Sequence, residues 1–219
     1  MRTLALVNQK GGTGKTTLAA CLAVAARDAG ERVFLIDMDP QKSLIKWGYR
    51  RDDKDLPVEA VSPAKLPTVL AALARGNINL VIIDTPATDS PAADAAMACA
   101  DLTLIPARPT VFDIWSSEMT RGKLKTLGKD FAFVLAQCSP MPESARVRDG
   151  AAALEAMGML LQPFVCARVD YQEAAREGMG TTEIDPHGKA ADEMRQLWTS
   201  VKRRFTRLKQ AEKSTKRAA

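Results

Sequence analysis

The segment Asn8-Gln9-Lys10-Gly11-Gly12-Thr13-Gly14-Lys15-Thr16-Thr17 concentrates residue types that bind phosphate. A polyphosphate needs exposed backbone amides, a positive helix end and a cation. Gly11, Gly12 and Gly14 leave the amides open, a helix beginning near Lys15 supplies its N-terminus, and Lys15 supplies the charge. Thr13 and Thr17 flank the same turn, and the Thr16 hydroxyl is a ligand type for Mg²⁺. The strict spacing G-x-x-x-x-G-K-[ST] would place glycine at position 9, where Gln9 stands, followed by Lys10. The motif therefore departs by one residue. A dinucleotide fingerprint fits less well, because position 17 is Thr and G-x-G-x-x-G is not completed.

Two carboxylates complete the candidate chemistry. Asp84 ends the apolar run Leu80 to Ile83, where a buried carboxylate is costly unless a cation or its water shell meets it, as at a Mg²⁺ site. Asp39 follows Val33 to Ile36 and is placed to position or deprotonate a water attacking a γ-phosphate. Asp37 is the alternative two residues earlier. Gln137, Cys138, Pro163 and Arg168 flank two later apolar runs and are candidates, by position alone, to frame a nucleotide base.

These groups need a scaffold that brings strand ends together. The runs Leu4 to Val7, Val33 to Ile36, Leu80 to Ile83, Leu102 to Ile105, Phe131 to Ala136 and Phe164 to Ala167 are short and mostly rich in Val or Ile, the pattern of strands buried on both faces. Helix-competent stretches lie between them: Lys15 to Ala29, Pro91 to Ala100, Ile114 to Leu127 and Ser144 to Met157, with glycine after each of the first, third and fourth. Alternation of this kind requires crossover connections, hence an α/β protein with a mostly parallel, doubly wound sheet flanked by helices and active groups at the carboxyl ends of its strands. The spacing predicts one P-loop domain over residues 1–208 and a basic tail over 209–219.

The 219 residues, 46% of them apolar, suffice for one large core, and 26% charged residues are ordinary for a globular chain. No apolar run approaches the length of a membrane span, and the N-terminus lacks a cleavage-site pattern, so a cytoplasmic protein is expected. The four cysteines are far apart and only one histidine is present, which excludes a zinc or iron-sulfur cluster of the usual spacing and makes four buried thiols the expectation. His187, Trp47, Trp115 and Trp198 are expected to pack or lie at the surface. Charge is uneven. Residues 189–219 hold 10 Lys/Arg and 3 Asp/Glu, a local +7 against a whole-chain +5, so the remaining 188 residues total −2. Within that segment Ala190, Met194, Leu197, Trp198, Val201, Phe205 and Leu208 form a helical docking stripe, while Lys202, Arg203, Arg204, Arg207 and Lys209 occupy mostly other faces, the first four of them being the candidate DNA contacts. A basic strip without base-reading residues suits sequence-independent contact with DNA phosphates. The sequence after Leu208 has no large apolar residue to enter a lipid layer, so no membrane anchor is expected.

Lys10 to Thr16 resembles the deviant Walker A box of the ParA/MinD family of dimerising P-loop ATPases, with Lys10 at the place of its signature lysine. The resemblance continues in Leu35-Ile36-Asp37-Met38-Asp39-Pro40-Gln41, in Val81 to Ala87, in Pro109 to Ser116, in Arg168 with Glu173-Ala174, and in Asp185 to Ala191. It spans roughly residues 1–201, and the compact length is similar to the small plasmid-partition ParA (ParF-like) proteins. The resemblance implies ATP and Mg²⁺ as cofactors, with Thr16, Asp39 and Asp84 at the metal and Asp39 ahead of Asp37 as the hydrolytic residue. The resemblance places Arg168 near the nucleotide, while Gln137 stays a candidate by position alone. Lys10 reaches across an ATP-dependent homodimer to the partner's phosphates. It implies further a weak Mg²⁺-dependent ATPase that binds non-specific DNA, associates with the nucleoid, and segregates plasmid or chromosomal DNA, or positions another cargo, with a ParB-like adaptor. The alternative is a cytosolic ATP-switched regulator acting on a protein partner without DNA.

Overall fold

In a computed structural model the described residues are 1–141 and 144–218, with the backbone alone for 212, 213 and 215–218. Seven strands form one sheet: β1 (Arg2–Leu6), β2 (Val33–Asp37), β3 (Val58–Ala60), β4 (Leu80–Asp84), β5 (Leu102–Ala107), β6 (Phe131–Leu135) and β7 (Leu160–Leu161). Their order is β3-β2-β4-β1-β5-β6-β7, and every pairing is parallel. The expected mostly parallel sheet is thus wholly parallel among the described residues.

The strands are buried on both faces because their apolar residues alternate between two cores. Leu80 and Ile82 of β4 pack with Leu4, Leu35 and Leu104 against α1 (Lys15–Asp28) and α9 (Lys189–Ala218). Val81 and Ile83 pack with Ile36, Ile105 and Phe133 against α3 (Leu66–Arg75), α4 (Pro91–Cys99), α5 (Val111–Thr126) and α6 (Ala145–Met157). Three short helices, α2 (Ser43–Arg50), α7 (Asp170–Arg176) and α8 (Thr181–Ile184), complete the first layer. The stripe on α9 is buried as its spacing predicts, from Ala190 through Phe205, and α9 continues without a break past Leu208. Ala219 and most side chains of the expected tail lie outside the described residues.

Two expectations are corrected. Phe164 to Ala167 is not a strand of the sheet; residues 160 and 161 pair with β6, and the later segment makes a single parallel bridge, Cys138 to Cys166. Of the four thiols, Cys21 and Cys138 are buried and Cys99 and Cys166 only partly so. The chain leaves β1 toward β2 and leaves β5 toward β6, in opposite directions along the sheet. A crevice therefore opens at the carboxyl ends of these neighbouring strands.

Candidate phosphate and nucleotide site

The loop from Asn8 to Gly14 fills that crevice. Gly12 and Gly14 take φ values of 74° and 90°, conformations that favour glycine, and Gly14 leads directly into α1. The fully buried Asn8 fixes the loop to its neighbours. Its amide donates to the Pro106 carbonyl at 2.8 Å and to the Ser117 hydroxyl at 3.2 Å, and its Oδ1 accepts from Lys10 N–H at 3.1 Å and the Ser116 hydroxyl at 2.9 Å. One side chain thus ties Lys10 to the first turns of α5.

Lys15 is buried, and its Nζ donates to the Lys10 carbonyl at 3.4 Å. Burial pulls its pKa down, against the opposing influence of Asp84 and Asp39. Thr16 donates to Asp84 Oδ2 at 2.6 Å. Asp84 is fully buried, its Oδ1 has no hydrogen-bond partner, and burial pushes its pKa up to about 7 even though the Thr16 hydroxyl opposes the shift. An orphaned buried carboxylate oxygen beside a hydroxyl fits a hard divalent cation, and the neighbouring lysine fits the polyphosphate that would carry it.

The two candidate acids after β2 separate clearly. Asp37 is buried and spends Oδ1 on Asp39 N–H at 2.9 Å and Oδ2 on Ile45 N–H at 3.0 Å, so it braces the turn into α2. Asp39 is half-buried, accepts Gln41 N–H at 2.9 Å, and acts electrostatically on both Lys15 and Asp84.

Beside the loop lies a cavity of about 440 Å³ lined by Thr13, Gly14, Thr17 and Leu18 on one side and by Gln137, Cys166, Arg168 and Tyr171 on the other. Gln137 donates to the Gly12 carbonyl at 2.6 Å. Of the four base-framing candidates, Gln137 and Arg168 line the cavity and Cys138 and Pro163 do not. Cys138 turns into the core, and Pro163 lies before the lining segment. Sequence reasoning missed Glu193 of α9. Its carboxylate accepts from Arg168 Nε and Nη2 at 2.9 and 2.7 Å, from the Tyr171 hydroxyl at 3.0 Å and from Cys166 N–H at 3.2 Å, holding one wall of the cavity. No local pattern marks it, because its partners lie more than twenty residues away.

The basic strip on α9 is divided. Arg204 is half-buried against Asp130, with Nε to Oδ2 at 2.8 Å, and Lys202 pairs with Glu31 at 3.3 Å. Arg203 and Arg207 are exposed and form no ion pair among the described residues.

A parallel α/β sheet with a glycine loop, lysine and threonine at a helix start, and an aspartate on the adjoining strand defines a P-loop nucleotide-binding protein. A family profile described as "AAA domain" matches residues 1–148. The Maintenance of carboxysome distribution protein A of Halothiobacillus neapolitanus is 35% identical over 214 residues, covering 91% of this chain and 95% of that protein. The chromosome-partitioning ATPase Soj of Thermus thermophilus is 31% identical over 156 residues, covering 58% of this chain and 61% of that protein. The structure of the septum site-determining protein MinD complexed with Mg-ADP, from Pyrococcus horikoshii, superposes with a TM-score of 0.76 at 22% identity, covering 91% of this chain and 95% of that one. The chain belongs to the ParA/MinD family of P-loop ATPases.

Proposed function

We propose that this protein is an ATP-switched positioning ATPase, which binds ATP with Mg²⁺, pairs with a second copy in the ATP state, and hydrolyses the nucleotide slowly until a partner orders the site. The observation that carries the reading is the Thr16, Asp84 and Lys15 cluster at the start of α1, with a base-sized cavity alongside. Gly11 to Thr17 bind the phosphates, Lys15 neutralises them, Thr16 and Asp84 hold the metal with Asp39 beside them, and Asp39 orients the attacking water. Bound Mg²⁺ supplies positive charge against the charge developing on the transferred phosphoryl group. Gln137 and the wall fixed by Arg168 and Glu193 enclose the base.

A second copy of the chain is the occupant that best fits the outer face of α5. Val111, Phe112, Trp115 and Met119 are 57–68% exposed on one side of that helix, and Phe112 and Trp115 stack edge to face at 5.6 Å. Asn8 fastens the same helix to Lys10, so a copy docked here meets the loop that bears Lys10. Lys10 then adds a cation to the partner's site in trans. The names of the relatives, one of carboxysome distribution and one of chromosome partitioning, make cargo movement the natural output. The proposed medium is nucleoid DNA held non-specifically by α9, and the proposed trigger is a ParB-like adaptor on the cargo.

The paired state of Lys202 and Arg204 favours one other reading, an ATP switch that acts on a protein partner without DNA. Binding of Mg-ATP and Mg-ADP, sedimentation in each state and retention on unrelated duplex DNA test the proposal together. Lys15→Ala is expected to abolish ATP binding, and a variant that still binds ATP normally would overturn the site assignment.

A further inference from the structure

Arg108 is a cation that the motif reading leaves without a role. It follows the last residue of β5, beside the P-loop on the side away from Asp84. Asp113, 1% exposed, accepts its Nε at 2.9 Å and its Nη2 at 3.2 Å, and the Thr110 hydroxyl donates to the same carboxylate at 2.6 Å. The guanidinium is therefore fixed in plane and direction. Nη1 is left over: among the described residues no hydrogen bond engages it, and it lies 3.8 Å from where a β-carbon on Gly12 would stand. The Gln137 amide, from just after β6, holds the Gly12 carbonyl, so side chains that follow β5 and β6 both meet the loop at Gly12.

Burying a carboxylate to hold an arginine costs desolvation that a surface ion pair avoids. What the arrangement yields is a planar donor that stays directed at the glycine loop. With the inner phosphates at the helix start, Gly14 to Thr16, as the functional reading has it, the exposed turn at Gly11 and Gly12 would face the outermost one. We propose that Arg108 is a further cation of the phosphate site, donating from Nη1 to the terminal phosphate of a nucleoside triphosphate in its own subunit, with Asp113 and Thr110 as positioning residues. This inference rests on the ATP reading above and adds the residue that distinguishes triphosphate from diphosphate.

The test compares binding of fluorescent ATP and ADP analogues, with Mg²⁺, to the full chain at a concentration where sedimentation shows a monomer. Arg108→Ala is expected to weaken ATP binding about tenfold or more, the size of one charge-assisted hydrogen bond, with ADP binding changed by less than about twofold. Arg108→Lys should recover only part of the loss, because an ammonium cannot fork onto Asp113 and reach the phosphate together. Asp113→Asn should move the ratio the same way by less. If Arg108→Ala does not fold, as judged by circular dichroism, Arg108→Gln is read for the same ratio. Equal losses for both nucleotides, or none, would overturn the proposal while wild-type ATP binding leaves the functional reading standing. A wild-type chain that binds neither nucleotide would overturn both.

Discussion

Two aspartates separated by one residue behave differently because their oxygens have different partners. Both Asp37 oxygens accept backbone N–H groups at the entry to α2, whereas Asp39 spends one oxygen on the exposed Gln41 N–H and lies within electrostatic reach of Lys15. Asp37→Ala should cost about 1–3 kcal/mol of stability, since it leaves two half-buried amides at the entry to α2 without their acceptor. Asp39→Ala should unfold like wild type and bind ATP, yet lose turnover; thermal unfolding and phosphate release measured on both variants check the contrast. Wild-type hydrolysis by Asp39→Ala would remove it from the mechanism. Asp84 adds a pH dependence. Burial raises its carboxyl to about 7, so it stabilises the fold in its protonated form, fully below its unfolded value near 3.8, and that contribution is lost as pH rises through 7. A metal-bound nucleotide compensates the carboxylate in the same range. The gain in melting temperature from Mg-ADP should therefore be larger at pH 8 than at pH 5, and Asp84→Asn should flatten the pH dependence of the nucleotide-free protein. An equal gain at both pH values in the wild type would contradict this assignment.

At the scale of elements, what the sequence makes legible is what is local. The central strands are apolar runs because both faces are covered, and two of them end in the aspartates that matter, Asp37 and Asp84. The glycine loop is one contiguous motif. By contrast β3 is three residues, Val58-Glu59-Ala60, on an edge, too short and mixed to carry a pattern. Residues 164–167 resemble a strand in composition. The regular ladder with β6 is nevertheless taken by Leu160 and Leu161, and Pro163, which has no N–H to donate, separates them from the Cys166 bridge. The ties of Asn8 to α5 and of Arg168 to Glu193 join residues far apart in sequence, which periodicity cannot register. The outer face of α5 is half legible in the sequence: a helix after β5 is evident from the pattern, the joint exposure of Val111, Phe112, Trp115 and Met119 is not. Its aromatic pair gives a direct prediction. Phe112→Ala and Trp115→Ala remove exposed side chains and should leave the monomer's stability and ADP binding unchanged, but weaken ATP-dependent dimerisation about tenfold or more if the pair sits near the centre of the contact. Sedimentation with ATP decides, and undiminished dimers would place the contact elsewhere.

For the whole molecule the decisive quantity is the distribution of charge, +7 in residues 189–219 against −2 elsewhere. Part of that basicity serves the fold. Arg204 fastens α9 to Asp130 just before β6, and Lys202 shares Glu31 with Arg2, whose guanidinium also lies 5.6 Å from the Phe205 ring. These pairs join the C-terminal helix to the start of β1 and the turn before β2. Arg203 and Arg207 carry no such duty, and they lie four residues apart on one exposed side of α9. If these two each meet one phosphate, a dimer makes about four contacts, and affinity for unrelated duplex DNA should fall about a hundredfold between 50 and 200 mM salt. If subunits pair on ATP as proposed, pairing doubles the contacts on one particle, and DNA retention should then depend on ATP. Joint replacement Arg203→Ala with Arg207→Ala should abolish retention in ATP without altering basal turnover or melting temperature. Arg204→Ala should instead lower the melting temperature, because it leaves Asp130 unpaired at a partly buried position. Retention measured on immobilised duplex, with ATP and with ADP, tests the assignment: equal binding in the two nucleotide states, or full retention by the double variant, would remove DNA from the cycle and favour a protein partner as the medium of movement.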